Sequence, residues 1–353
     1  MKKLIWLILL GVVAAGGWFA WAVLTPAEPS GPTFVLLHPG YSTRRIAAEL
    51  KTAGIIHSEE AFVLWHYVHR TRSLKAGEYL FDKPSNIIDI QKRLRRGDIY
   101  FRTVVVPEGF TMFDIARAIE AAGLGPAGDF LKVAQSDTAL IADIAPGARS
   151  LEGYLFPDTY EFSRMMTMQD MAAAMVKQFR QVAHQIGLIS DVAYLRRAKL
   201  HVAAQITTDT PQGAGPNDVE RTVIMASIVE KETAVAEERP LVASVYYNRL
   251  SKRIALDADP SISYAELLAG TYQGALHHAD MQFNSPYNTY RNAGLPPGPI
   301  GNPGRSALEA AIHPAQSDFY YFVADAQGHH RFARTMEEHN KNVAAYRKAM
   351  RGR

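Results

Sequence analysis

The sequence from Thr222 to Leu250 is TVIMASIVEKETAVAEERPLVASVYYNRL. Two apolar runs are joined here by a short acidic segment, and the apolar residues of the first run recur at helical spacing. The pattern predicts two helices, the first largely buried, with a charged connection between them. Pro240 fits the first turn of the second helix, where a missing N–H costs no hydrogen bond.

The acidic connection contains four glutamates, which are Glu230, Glu232, Glu237 and Glu238. Glu230 follows directly on the apolar run. A carboxyl group there is partly desolvated, which raises its pKa and lets it hold a proton near neutral pH, as a general acid must. A plainer interpretation is that all four glutamates solvate a helix end. Helical positions two apart point to nearly opposite sides, so periodicity does not decide between Glu230 and Glu232.

Length and composition describe a globular protein of two or three domains. The chain has 353 residues, 48% hydrophobic and 21% charged, with a formal net charge of +3 and no long basic block, which argues against nucleic acid as a partner. The absence of cysteine excludes disulfides, thiolate nucleophiles and cysteine-bound metals. The histidine pairs at 277–278 and 329–330 do not have metal-binding spacing, so neither a metal nor a cofactor is expected.

The N-terminus predicts a membrane anchor. Lys2 and Lys3 precede an uncharged run from Leu4 to Leu24, about the 20 residues that a helix needs to cross a bilayer. The lysines favour a cytoplasmic N-terminus, so a single-pass inner-membrane protein with a periplasmic bulk is expected. A cleaved signal peptide is the alternative, because Ala20-Trp21-Ala22 matches a cleavage pattern. In either case the chain after Leu24 is exported.

A strand–turn–helix pattern occurs twice after a Pro/Gly/Ser linker. The segments 34–56 and 103–124 share glycine and apolar positions that are 69 residues apart. Each predicts a β-branched strand, a glycine turn, a Ser or Thr N-cap and an amphipathic helix that glycine ends. The pattern loosely resembles the LysM module, which binds cell-wall glycans. The alternative is a small α+β spacer that holds the next domain off the membrane.

The rest of the chain alternates helices with long loops. Helices are predicted at 168–186 and near 262–268, and a polar loop at 207–218. A hairpin is predicted from 319–324 and 330–333, with Thr335 and Glu338 opening a last helix to about Met350. Long loops are predicted at 150–160 and 284–304, and long ordered loops are usually functional. Both contain aromatic, hydroxyl or amide groups that are suited to binding sugars. These groups belong to Tyr154, Asn288, Tyr290 and Asn302; each also fits an ordinary core or turn role.

Six segments together carry a family resemblance. They are ASIVEKET (226–233), SLEGYLFPDTY (150–160), VYYNRL (245–250), SPYNTY (285–290), GLPPGPIGNPG (294–304) and YYFVADAQGHHRF (320–332). In this order, behind an N-terminal anchor, they resemble the endolytic murein transglycosylase (YceG-like) family over nearly the whole chain. One departure lies at 256–260, where the family often has a glutamine before its Asp-Pro; this leaves the role of Asp257 open.

The resemblance implies cleavage of the β-1,4 bond between N-acetylmuramic acid and N-acetylglucosamine within peptidoglycan strands. It assigns the general acid to the first glutamate of the EKE motif, Glu230. This residue would donate its proton to the glycosidic oxygen and then, as a carboxylate, take the proton of the sugar's own C6 hydroxyl, which leaves a 1,6-anhydro end. Seven other residues are candidates for substrate contact: Glu232, Asp259, Asn288, Tyr290, Asn302, Glu152 and Tyr154. The resemblance also suggests termination of nascent strands beside a membrane-bound peptidoglycan synthase.

The predicted architecture is α+β with four segments. These are an anchor and linker at 1–31, a LysM-like domain at 32–100, a second strand–helix unit at 101–149 and a catalytic domain at 150–353. Two other functions stay open. A peptidoglycan hydrolase would use Glu152 or Asp259 as a second carboxylate and leave reducing ends. A wall-binding scaffold would bind glycan without cutting it.

Overall fold

The computed structural model describes residues 2–69, 73–190 and 216–351. The chain forms two compact units, one made of Met1–Thr103 and Glu161–Thr167, the other of Val104–Tyr160 and Met168–Arg353. Both mix helices with short strand pairs, which confirms the predicted α+β class. The polar loop predicted at 207–218 lies outside the described residues up to 215, and Pro216 begins a helix.

The first helix, α1 (Lys2–Leu24), is long and apolar enough to cross a membrane. Most of its apolar side chains are exposed, and only Ala22 and Val23 are buried. These two pack in the core of the first unit, with Phe19 against the indole of Trp65. The final turn of α1 is therefore part of a folded domain, while the rest requires an apolar environment.

Five further elements complete most of the first unit. They are β1 (Thr33–Leu37), α2 (Thr43–Thr52), α3 (Glu59–Val68), β2 (Gly77–Phe81) and α4 (Ile87–Arg96). β1 and β2 pair antiparallel, with Val35 opposite Tyr79. Helix α2 packs on α3, and the buried faces of the helices meet the strand pair in one apolar core.

The predicted strand–turn–helix repeat is present twice. In the first copy β1 leads to Gly40, and the Ser42 side chain accepts a hydrogen bond from Arg45 N at the start of α2. In the second, β3 (Arg102–Val105) leads to Gly109 and then to α5 (Met112–Ala121), which Thr111 caps. Both glycines have φ near +80°, at 83° and 77°, a backbone conformation that side chains disfavour.

The second unit is mainly helical. After α5 come α6 (Ala127–Ser136), α7 (Met168–Gln185), α8 (Pro216–Glu232), α9 (Arg239–Ser251), α10 (Asp259–Ala269), α11 (Arg305–Ile312) and α12 (Met336–Arg351). A hairpin of β5 (Tyr321–Ala324) and β6 (His330–Ala333) precedes α12. The strand β4 (Thr159–Phe162) pairs with β3, and both strands run from one unit into the other.

Helix α8 lies at the centre of the second unit. It packs against α9, α10 and α11, and its residues from Val223 to Val229 are at most 5% exposed. A helix that is apolar on all sides is stable only when it is surrounded. The prediction of a buried first helix is therefore confirmed for this stretch, and the last turn, Glu230 to Glu232, places charged groups at the edge of the core.

The hairpin is attached to the connection after α8. Glu238 lies in a 3-10 turn, Ala236–Glu238, directly before α9. Its carboxylate accepts hydrogen bonds from the backbone N–H of His330, at 3.1 Å, and contacts the ring nitrogens of His329 and His330, at 3.0 and 2.7 Å. The adjacent histidines therefore bind a carboxylate. Within the described ranges, no three histidine or acidic side chains are arranged to hold a metal ion.

Candidate active site

The candidate site is built on the last turn of α8. The helix ends at Glu232, so Glu230 and Glu232 leave it on different sides, as helical geometry requires. The two carboxyl groups therefore have different surroundings, which decide what each can do chemically.

Glu230 is enclosed by protein groups that neutralise it. One carboxylate oxygen accepts a hydrogen bond from the Arg239 guanidinium at 2.7 Å, and the other accepts one from the backbone N–H of Gly304 at 3.0 Å. The side chains of Glu230 and Arg239 are 5% and 6% exposed. Burial raises the pKa of Glu230, while the Gly304 N–H and Arg239 oppose this rise. Both oxygens are thus occupied within the protein.

Arg239 holds a second carboxylate beside Glu230. Glu108 lies 3.5 Å from the same guanidinium, in the turn before α5. A Cβ on Gly304 would lie 1.8 Å from Oε1 of Glu108, so a larger residue here would displace this half-exposed carboxylate. Glu230, Arg239, Glu108 and Gly304 form a compact polar cluster that joins α8, α9, α11 and the turn before α5.

Glu232 faces an open cavity of about 650 Å³ that the hairpin and α12 help to line. Burial raises the pKa of this carboxyl to about 7, the negative charge of Asp259 adds to the rise, and a hydrogen bond with Tyr246 opposes it. A substantial fraction of Glu232 is therefore protonated at neutral pH. A protonated carboxyl at the wall of a cavity large enough for sugar rings is suited to general acid catalysis.

Two aspartates line the same cavity. Asp259 is the first residue of α10, and the hydroxyl of Tyr290 donates a hydrogen bond to it at 2.5 Å. Asp257 has a positive φ of 52°, and it accepts a hydrogen bond from Arg249. Burial raises the pKa of Asp257, and Arg249 opposes the rise. Of the predicted residues, Glu232, Asp259 and Tyr290 are therefore brought together at one cavity.

Asn302 and Glu152 lie in the core behind the site. Asn302 is fully buried, and its side-chain oxygen accepts hydrogen bonds from Gly153 N and Leu155 N, both at 2.9 Å. Its amide donates to Glu152 at 2.7 Å, and Glu152 accepts the first N–H of α5, from Met112, at 3.0 Å. Burial raises the pKa of Glu152 to about 7, although the hydrogen bonds from Met112 N and Tyr264 oppose the rise.

Tyr154 and Asn288 are also fully buried. The ring of Tyr154 packs edge-on against Phe179, with ring centroids 5.1 Å apart. The amide of Asn288 donates to the carbonyl oxygens of Met281 and Phe283, at 3.0 and 2.9 Å, and so closes its own loop. Direct substrate contact by Tyr154, Asn288, Asn302 or Glu152 stays a prediction without a supporting contact in the structure.

Sequence reasoning missed the partners that distinguish the two glutamates. Arg239 precedes Pro240 in the quoted stretch, and Gly304 closes the GLPPGPIGNPG segment, but neither pattern indicates that they meet at Glu230. The glycine-rich composition was the one available signal, because glycine often marks a close approach to another group. Glu108 carried no signal, since a single charged residue is ordinarily a solvated one. Arg249 lies in the VYYNRL segment, but the segment does not indicate its aspartate partner.

The cavity brings together a carboxyl group with a raised pKa and two neighbouring carboxylates, the kind of groups that enzymes use to break glycosidic bonds. The chain belongs to the YceG-like family, whose model matches residues 35–345. A Bacillus subtilis protein named endolytic murein transglycosylase is 31% identical to it, and the match covers 94% of this chain and 90% of that protein.

Two more relatives agree with this assignment. A Streptococcus pneumoniae protein with the same name is 29% identical over 96% of this chain, which spans 64% of that longer protein. A crystal structure of a yceG-like protein from Listeria monocytogenes matches with a TM-score of 0.55 and 31% identity, over 89% of this chain and 99% of that one. The resemblance seen in the six sequence segments is therefore confirmed at the level of the family.

Proposed function

We propose that this protein is a membrane-anchored, endolytic lytic transglycosylase of peptidoglycan, and that Glu232 is its general acid. The observation that carries the proposal is a carboxyl group with a pKa near 7 at the wall of the 650 Å³ cavity, beside Asp257 and Asp259. The names of the relatives support murein as the substrate.

The reaction needs one group that gives and then takes a proton. Neutral Glu232 donates its proton to the glycosidic oxygen as the bond from that oxygen to C1 of N-acetylmuramic acid breaks. The resulting carboxylate accepts the proton of the same sugar's C6 hydroxyl as its oxygen bonds to C1. The 1,6-anhydro ring forms, no water is consumed and Glu232 is protonated again. The internal hydroxyl acts at high effective concentration, which makes this route competitive.

The two aspartates have an electrostatic role in this proposal. Positive charge develops at C1 while the bond breaks, and a nearby carboxylate stabilises it. Asp259 suits this role because Tyr290 orients it and because its charge raises the pKa of Glu232. Asp257 is already paired with Arg249, so its contribution is the smaller. Tyr290 is 39% exposed and lines the cavity, so it is available for contact with a bound sugar.

Glu230 has a structural role in this proposal, although the family resemblance predicts it as the acid. Both of its oxygens are bonded to Arg239 and Gly304, and a carboxylate that must give up those partners to reach a substrate is a poor acid. Asn302 and Glu152 also have a structural role in this proposal, because their hydrogen bonds connect the loop at 150–160 to the start of α5. The expected catalytic domain at 150–353 therefore depends on residues from the 101–149 segment.

A hydrolase is the second candidate, because Asp259 lies close enough to Glu232 to affect its pKa. A hydrolase would use Asp259 to activate water or to attack C1. Digestion of purified peptidoglycan by the full chain in detergent distinguishes the two functions, with mass spectrometry of the product ends. Anhydro-muramyl ends are expected; reducing ends would replace the proposed reaction by hydrolysis. The full chain is used because Ala22 and Val23 belong to the core of the first unit.

The anchor defines where the enzyme acts in this proposal. Helix α1 crosses the inner membrane with Lys2 and Lys3 on the cytoplasmic side, so both units are periplasmic. The enzyme then cuts strands near the membrane, where a synthase makes them, and terminates their elongation. The order β1–α2–α3–β2 supports a LysM-like, glycan-binding segment at 32–100, with the second repeat at 101–149 leading to the catalytic domain.

A further inference from the structure

A second cavity of about 570 Å³ lies next to the first one in the same unit. Asp259 lines both cavities, so the two adjoin at this residue. The second cavity is lined by the rings of Tyr264 and Tyr272 and by two cationic side chains, Lys231 and Arg117. Asp114 and Asp259 also line it, so the partners of each cation decide whether it is available to a ligand.

Lys231 is exposed, and the aliphatic part of its side chain packs beside two distant loops. A Cβ on Gly301 would lie 3.1 Å from Cε of Lys231, which is a tight contact, while one on Gly109 would lie 3.8 Å from its Cδ, which is an ordinary one. Glycine at position 301 therefore leaves room for the end of the Lys231 stem. Long side chains of this kind bury their stems and keep the charge at the solvent side.

The two cations differ in their partners. Arg117 pairs with Asp114, which also accepts a hydrogen bond from Thr111 N at 2.9 Å to cap α5. Lys231 forms no ion pair with any carboxylate in the ranges 2–69, 73–190 and 216–351. The charge of Lys231 acts on Glu152 and Glu230, but no carboxylate of the described ranges contacts its ammonium group directly, so this group can form a charge-assisted hydrogen bond with an anion from outside the protein.

We infer that the second cavity binds the peptide stem of the muramic acid unit, and that Lys231 recognises a carboxylate of that peptide. The inference rests on the proposed function, because it takes peptidoglycan as the substrate. Peptidoglycan strands consist of uncharged sugar rings, and their anionic groups are the carboxylates of the peptides attached through the lactyl ether. A strand that passes Asp259 brings such a peptide next to Lys231, which makes cleavage selective for strands that still carry their peptides.

The experiment compares two substrates with one set of variants of the full chain in detergent. The substrates are peptidoglycan strands with intact peptides and the same strands after an amidase has removed the peptides. The variants are Lys231→Met, which keeps the stem and removes the charge, and Lys231→Arg, which restores the charge. Lys132→Met is the control, because Lys132 is 80% exposed on α6 and pairs with Asp129.

The measured quantity is the ratio of kcat/KM on peptide-bearing strands to kcat/KM on stripped strands. Lys231→Met is expected to lower this ratio about tenfold, mainly through KM, since a charge-assisted hydrogen bond is lost. Lys231→Arg and Lys132→Met should keep the ratio. An equal loss on both substrates would show that Lys231 only supports the neighbouring glutamates, and a wild-type enzyme with no preference for peptides would also overturn the inference. Absence of anhydro products with wild type would instead refute the proposed function.

Discussion

Replacing each glutamate of the EKE motif by glutamine separates catalysis from structure. Glu232→Gln removes the only ionisable proton that this side chain offers to the glycosidic oxygen, while the amide keeps its size. Glu230→Gln removes the negative charge that faces Arg239, at a position that no substrate has to reach in our proposal. We therefore expect the first variant to be folded and inactive, and the second to be less stable and still active.

The magnitudes follow from the contacts. Loss of a general acid lowers kcat about 10²- to 10⁴-fold, and each tenfold step corresponds to about 1.4 kcal/mol of activation free energy. Glu230 and Arg239 are 5% and 6% exposed, and breaking a buried pair by removing one charge costs about 3 kcal/mol. In a protein of this size, that cost lowers the melting temperature by roughly 6–12 °C.

The assay measures both quantities on the same samples. Anhydro-muramyl ends released from purified peptidoglycan are counted by mass spectrometry over time, and thermal unfolding is followed at pH 6 and pH 8. For Glu232, the pKa of about 7 in the folded state exceeds the ordinary carboxyl value of 4.5. The wild type therefore loses stability as the pH rises from about 4.5 through 7, and the full cost of ionising Glu232 is present at pH 8. At that pH Glu232→Gln should be at least as stable as the wild type.

One pattern of results would refute this reasoning. If Glu230→Gln released no anhydro ends while its melting temperature stayed at the wild-type value, and if Glu232→Gln remained active, Glu230 would be the acid that the family resemblance predicts. A matched control is Glu237→Gln, which alters an exposed glutamate of the same connection and should change neither quantity.

Three further predictions concern the surroundings of the site. Glu152→Gln should remove a pH dependence of stability, because burial raises the pKa of Glu152 from 4.5 to about 7. Between pH 5 and pH 8 the wild type should therefore lose about 3 kcal/mol of unfolding free energy relative to the variant. Denaturant titrations at the two pH values measure this difference. Gly304→Ala should lower the unfolding free energy by about 1–3 kcal/mol, since its Cβ would overlap a carboxylate oxygen, whereas Gly128→Ala, with open space around it, should have little effect; equal effects would contradict the packing argument. Tyr290→Phe should lower kcat/KM on the order of tenfold, because it removes the hydroxyl that donates a hydrogen bond to Asp259 at 2.5 Å. An unchanged kcat/KM would show that Tyr290 has no role in the site.

The local features of the fold were predictable from short patterns. Helix α12 was expected to end near Met350 and ends at Arg351, and the hairpin strand at 330–333 has the predicted bounds. The Ser42 and Thr111 caps form at both copies of the repeat. These features depend on hydrogen bonds and packing within about ten residues, so the local sequence contains the information that sets them.

The loop residues were harder to assign, because a polar side chain looks alike in sequence whether it bonds a sugar or its own backbone. Asn288 and Asn302 satisfy backbone groups inside the protein, and Tyr290 projects to the cavity. All three lie in the long loop region where sugar-binding groups were expected. Burial separates them, and burial depends on which distant segments pack over each loop.

The sequence by itself determined that a buried helix ends in Glu230-Lys231-Glu232, because apolar periodicity is a local property. It also predicted the membrane helix and the family. Only the tertiary structure decided that Arg239 and Gly304, 9 and 74 residues away, occupy Glu230 and leave Glu232 facing the cavity. The physical reason is that the pKa and accessibility of a carboxyl depend on the charges and donors around it in space, and those come from segments that meet only when the core packs.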